Sequence, residues 1–190
     1  MNPYKILVTG VGISGKSNLA KKLEENLSKL FNPIVNKDVD WDHDALIVPE
    51  EAIVYILQTP KGCQAERRHG ISLADFNRIV YCNPDLETYA KLLASRGCAW
   101  FKEGVIEKGL DENPTPYSFE KLPNIIERIA EYALRKERLK NEDIDYFTNA
   151  GLIGRVTFLK PVIVNSTLLS FEGYDNNLEQ LIGEINLWMR

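Results

Sequence analysis

Three things are scarce in this sequence, and each scarcity excludes something. Cysteine occurs only as Cys63, Cys82 and Cys98. There is no C-x-x-C pair, so neither a disulfide framework nor a cysteine-based zinc or redox site is expected, and the thiols read as those of a protein kept in a reducing cytosol. Long apolar runs are missing. No window reaches the length of a membrane-crossing helix, and Ile6-Leu7-Val8 is too short for a secretion signal. A basic excess is missing too: Lys plus Arg number 23 against 27 Asp plus Glu, a net charge of −4. That is the wrong sign for coating nucleic acid or an anionic membrane surface. The expectation is a cytoplasmic protein with no nucleic-acid partner and no membrane partner. Repeats and low-complexity tracts are absent as well. What is present is ordinary globular material, 44% hydrophobic and 26% charged over 190 residues, which suits one compact domain spanning 1–190.

Short apolar strands alternate with amphipathic helices along the chain. Lys5 to Thr9 reads as a strand buried on both faces and stopped by Gly10. From Ser17 onward Leu19, Ala20, Leu23, Leu27 and Leu30 recur at helical spacing, up to Asn32-Pro33. Ile34-Val35, Ala52 to Leu57, Arg78 to Cys82 and Val162 to Val164 are further strand candidates. Leu86, Tyr89, Ala90 and Leu93 mark one helix, capped by Gly97. Leu122, Ile125, Ile126, Ile129 and Ala133 mark a longer one, and Leu178, Leu181, Ile182 and Ile185 a closing one, with Asn177 and Gln180 as its capping box. Gly104 to Pro116 and Asn141 to Gly154 read as loops or a mobile cover, and a lid is expected around 98–118. The fold class that follows is α/β, a three-layer arrangement with a parallel sheet and helices on both faces.

The segment Gly10-Val11-Gly12-Ile13-Ser14-Gly15-Lys16-Ser17 fits G-x-x-x-x-G-K-[ST], and it follows a buried strand and opens a helix, as that motif must. Glycines let the backbone curl until successive N–H groups point at phosphate oxygens, and the helix adds the positive end of its dipole. Gly10, Gly12, Ser14, Gly15, Lys16, Ser17 and Asn18 are therefore the expected ATP-binding residues. Lys16 would bridge the outer phosphates, and the Ser17 hydroxyl would ligate Mg²⁺.

With this motif near its start, the chain resembles the P-loop nucleoside and nucleotide kinases, most nearly the uridine-kinase-like branch. Trp41-Asp42-His43-Asp44-Ala45 is similar to the Phe-Asp-His-Pro-Asp-Ala segment of uridine kinases, although proline is missing after His43 and the segment is compressed. Ile79 to Pro84 through Ser95-Arg96-Gly97 looks like the family's late strand and the helix that leads to a lid arginine. Val162 to Asn165 and Asn177 to Trp188 look like the family's closing strand and helix. The resemblance implies a P-loop NTPase fold, ATP and Mg²⁺ as cofactors, and phosphoryl transfer to a small metabolite, a nucleoside or nucleotide. It implies roles for the acidic run as well. Asp40 would orient and deprotonate the acceptor hydroxyl and hold the metal with Ser17, and Asp42 and His43 would contact the acceptor.

Asp38, Asp40, Asp42 and Asp44 also fit an acidic solvated turn. Arg67 and Arg68, beside His69, offer planar donor forks that suit an acceptor's hydroxyls or phosphates, or a solvated turn equally. Arg96 suits transition-state charge or merely the negative end of its helix. Trp100 and Phe101 read as core. Arg128, Arg135, Lys136, Arg138 and Lys140 interleave with Glu127, Glu131, Glu137 and Glu142, which reads as a solvated helix face with salt-linked pairs. Asn36-Lys37-Asp38 imitates a guanine-specificity sequence, but Val39 stands where its aspartate belongs and no Asp-x-x-Gly occurs, so a regulatory GTPase is disfavoured. The expected catalytic set is Lys16, Asp40 and Arg96. The competing class is a nucleotide-binding regulatory or scaffold protein without kinase activity, and a kinase acting on a sugar or another non-nucleoside is a third reading.

Overall fold

A computed structural model describes residues 2–36, 52–59, 72–92, 122–164 and 169–190. Within them the chain forms β1 (Tyr4–Thr9), α1 (Lys16–Leu27), β2 (Ile34–Asn36), β3 (Val54–Gln58) and β4 (Arg78–Cys82). Residues 86–92 are helical. Then come α2 (Leu122–Asn149), β5 (Val156–Leu159), β6 (Pro161–Ile163), β7 (Leu169–Phe171) and α3 (Tyr174–Trp188).

Five strands pair in the order β2-β3-β1-β4-β5, and every pairing is parallel. The order places β1 at the centre, so both of its faces must be covered. Period-two alternation decides which side chains go where. Tyr4, Ile6 and Val8 share one face with Val54, Ile56, Val80 and Cys82, and pack there against Leu19, Leu23 and Leu27 of α1 and Leu181 and Ile185 of α3. Leu7, Tyr55, Leu57, Ile79 and Tyr81 face the other way, onto Leu73, Phe76, Phe147 and Leu152. Helices therefore cover both faces, and the expected three-layer α/β arrangement is present. Each fully buried leucine contributes about 2 kcal/mol to this core.

Four expectations need correction. Leu30 is 59% exposed and lies beyond α1, which ends at Leu27 with Ser28 as its C-cap; Asn32 turns the chain at φ 48° before Pro33. The stretch 141–149, read as loop, continues α2. Buried Ala133, Lys140, Asp143 and Phe147, with Lys136 between them, fall at alternating three- and four-residue steps, but three of those five positions are charged and hide the apolar stripe. Val162 to Val164 is not a strand of the main sheet. Pro161–Ile163 instead pairs antiparallel with Leu169–Phe171 in a separate two-stranded sheet, and the fifth parallel strand is the unanticipated Val156–Leu159. Asn177 caps nothing: Gly173 is the N-cap of α3, and Asn177 is buried within the helix.

The α2 charges divide as well. Arg135, Arg138 and Glu142 are exposed, as a solvated face requires. Lys140 is buried, with its ammonium 2.6 Å from Glu137 and donating at 3.2 Å to the Pro84 carbonyl. Asp143 accepts the Tyr81 hydroxyl at 2.6 Å, which together with Tyr81 ring contacts to Phe147 and Phe158 holds α2 against β4 and β5. Among the described residues no helix is long and apolar enough to cross a membrane.

Candidate functional site

At the carboxyl edge of β1 the chain makes a tight loop and enters α1. Gly10 has φ 141°, and a Cβ there would lie 2.8 Å from the Cys82 carbonyl oxygen, so no side chain fits. Gly15 has φ 96° and serves as the N-cap of α1. Between them Ile13, a β-branched residue, sits at φ 66°. That conformation costs on the order of 1–3 kcal/mol and persists only where the surroundings enforce it.

The first turn of α1 is left unsupported. It has no side-chain cap and no acidic residue, so its leading N–H groups and the positive end of its dipole are uncompensated by the chain. A cation is placed there as well: Lys16 is the first helical residue and 5% exposed, and its ammonium donates to the Val11 carbonyl at 2.8 Å. Cys82 beneath it supplies no counter-charge. Burial pushes that thiol up to about 12, against smaller opposing effects of Lys16 and Ser14, so it is neutral at physiological pH.

Neighbouring elements aim polar groups at the same edge. Alternation along β3 carries Gln58 to the α1 side, where its Nε2 donates to the Ser17 hydroxyl at 3.2 Å. Thr59 follows, its N–H bonded to the Val8 carbonyl and its own carbonyl accepting the Thr9 hydroxyl. Among the described residues the buried Thr59 Oγ1 and Asn83 Oδ1, just past the ends of β3 and β4, have no hydrogen-bond partner. Such atoms at the carboxyl edge of a parallel sheet face the place where ligands of these sheets bind. Asp85 accepts the Thr88 N–H at 2.7 Å and so caps helix 86–92, which brings the Tyr89 hydroxyl onto the Gly12 carbonyl. The Asp85 carboxyl is held well below the usual carboxylate range, first by Lys160 and then by Thr88.

Of the residues singled out from sequence, Gly10, Gly12, Ser14, Gly15, Lys16, Ser17 and Asn18 come together in this loop and the first turn of α1. Ser14 and Lys16 are buried, Ser17 and Asn18 exposed. Asp40, Asp42, His43, Arg67, Arg68 and Arg96 lie outside the described residues, as does the lid expected at 98–118. Sequence reasoning missed Gln58, Tyr89 and Lys136. For Gln58 a signal existed: carrying the strand alternation two residues past Ile56 places it beside the helix. For Lys136 the signal was its spacing between Ala133 and Lys140.

The chemistry available is anion capture by backbone amides, a helix terminus and a buried ammonium. Among the described residues no three His, Cys, Asp or Glu side chains gather into a metal site. A hard cation here would be shared between the Ser17 hydroxyl and oxygens of the captured anion, a donor set that Mg²⁺ accepts.

Fold and loop together define the class of molecule: an α/β protein whose single five-stranded parallel sheet carries a glycine-rich strand-to-helix turn at its carboxyl edge. No family model matches the chain, and no match to it is found among curated proteins.

Proposed function

We propose that the protein is a P-loop phosphotransferase of the cytoplasm that moves the γ-phosphoryl of ATP to a small metabolite, a nucleoside or nucleotide, with Mg²⁺. The observation that carries this reading is a buried ammonium at the uncapped start of α1, on a loop held at φ 66° by a β-branched residue. A lysine at the positive end of a helix is unfavourable in itself, as are uncapped N–H groups and a strained isoleucine. A polyphosphate relieves the first two costs at once. The strand order, with the loop strand central and β3 and β4 on either side of it, supports the same reading.

In this account the loop amides and Lys16 hold the phosphates, and the Val11 carbonyl gives up the Lys16 ammonium on binding. Mg²⁺ bound between Ser17 and the phosphates neutralises charge in the transition state. Gln58 orients the Ser17 hydroxyl. Asp40 would serve as base and Arg96 would reach the transferring group, with Asp42, His43, Arg67 and Arg68 on the acceptor. Rate enhancement would come mainly from alignment and fixed charge.

A second reading, a nucleotide-binding regulatory or scaffold protein, draws on one observation. The side chain that touches Ser17 from β3 is the amide of Gln58, a weaker metal partner than a carboxylate. Measuring ADP release across nucleosides, nucleoside monophosphates and sugars separates the two. The kinase reading expects acceptor-dependent release, abolished in Asp40→Ala with nucleotide binding kept. Tight binding with no release for any acceptor favours the regulatory protein.

A further inference from the structure

Two helices converge on the apex of the glycine-rich loop. Tyr89, from helix 86–92, donates its hydroxyl to the Gly12 carbonyl. Ala133 of α2 packs with Tyr89 and Val11. One turn further along α2, the Lys136 ammonium lies 3.5 Å from the position a Gly12 Cβ would occupy. Lys16 meanwhile donates to the carbonyl of Val11, the residue before Gly12. Two ammonium groups are thus delivered to adjacent residues of one short loop, from elements 120 positions apart in sequence, in a protein of net charge −4. Like charges brought to one spot repel, and an anion between them turns that repulsion into attraction.

The charge of a nucleoside triphosphate is distributed unevenly. Its terminal phosphate carries about −1.5 to −2 at neutral pH, as any phosphate monoester does, whereas each inner phosphate carries about one charge. Amides and a helix end suit the inner groups. Two ammonium groups at the loop apex suit the terminal one.

We propose that Lys136 is a second phosphate-binding cation, supplied by α2, which recognises the terminal phosphate and makes the loop prefer a triphosphate to a diphosphate. The proposal deepens the P-loop reading and rests on it. Gly12 belongs to the same design, because the absence of a side chain there leaves the space between the loop and Lys136 open. A Cβ at Gly12 would make only ordinary contact with the ammonium, so it is that space rather than backbone strain that the glycine preserves.

The test is equilibrium binding of MgATP and MgADP to the full-length chain and to Lys136→Ala, Lys136→Gln, Lys136→Arg and Lys16→Ala, each checked for folding by circular dichroism. Loss of one charge-assisted contact predicts that Lys136→Ala and Lys136→Gln weaken ATP by about tenfold to a hundredfold. ADP should change by less than about threefold, and Lys136→Arg should retain most of the preference. Lys16→Ala should weaken both nucleotides. If the wild-type chain binds both and the two neutral Lys136 variants weaken them equally or not at all, Lys136 is a structural lysine and the proposal fails while the P-loop reading stands. If the wild-type chain binds neither, both fall together.

Discussion

The two edges of the central sheet are built from the same strands and handle charge in opposite ways. At the amino edge every charge is answered. Arg78, at the start of β4, donates through Nε and Nη2 to Glu184 of α3, Tyr4 donates to the same carboxylate at 2.6 Å, and Gln180 adds a further bond at 3.0 Å. The Trp188 indole closes the corner, donating to the Asn2 carbonyl and meeting the Tyr4 ring edge-on. At the carboxyl edge the chain leaves a helix uncapped, seats an ammonium at its positive end and holds Ile13 in the left-handed region. One edge is built to fold and the other to receive a ligand; the stability of the first offsets the strain of the second.

Lys16→Met should separate the edges most sharply. Binding of a nucleoside triphosphate should fall by about a hundredfold or more, since a charge-assisted contact and its field are both lost. The melting temperature should hold or rise, because the variant no longer buries a cation at a helix N-terminus. A steep loss of stability together with binding would mean that Lys16 is a structural residue.

Gly10→Ala should cost about 2–4 kcal/mol in a urea titration. Its Cβ meets a backbone carbonyl, which cannot swing aside as a side chain can, and its φ is one that L-residues avoid. A near-neutral result would show that the loop is free to relax.

Glu184→Gln should lower stability by about 1–2 kcal/mol, because Arg78 is largely buried and loses its charged partner while the carboxylate side is partly solvated. Nucleotide affinity should stay unchanged. The pH dependence has a definite sign. Desolvation pushes the Glu184 carboxyl up, but the bonds from Tyr4 and Arg78 outweigh it, so its pKa lies below the ordinary value of 4.5. Its contribution is therefore fully present above about pH 4.5 and drains away as pH falls through the folded value. The wild-type chain should lose stability in that acid window more steeply than Glu184→Gln, and parallel pH profiles would contradict the assignment.

Gln58→Ala should have the smallest effect, about 1 kcal/mol or less on stability for one hydrogen bond lost at Ser17. Its larger consequence should be a higher Mg²⁺ concentration for half-maximal nucleotide binding. An unchanged Mg²⁺ dependence would remove Gln58 from the site.

Legibility in the sequence followed how local each determinant was. The loop is a contiguous run of eight residues between a strand and a helix, so Gly10 to Ser17 could be read directly. β1, β3 and β4 were legible because strands covered on both faces are apolar throughout. The C-terminal half of α2 was not, since Lys140 and Asp143 are buried by pairing with Glu137, Pro84 and Tyr81, partners that only the fold brings near. β5 was missed because its half-exposed Val-Thr-Phe-Leu lacks the apolar density of the inner strands. Lys136 looked like any other charge on an alternating helix face, and its place over Gly12 depends on the angle at which α2 crosses the sheet.

The most direct measurement is calorimetric titration of MgATP into the intact wild-type chain. The account predicts saturable one-to-one binding that inorganic triphosphate competes away and adenosine does not, because the loop holds phosphates rather than the base. Absence of binding, or binding that adenosine displaces and triphosphate leaves untouched, would contradict it.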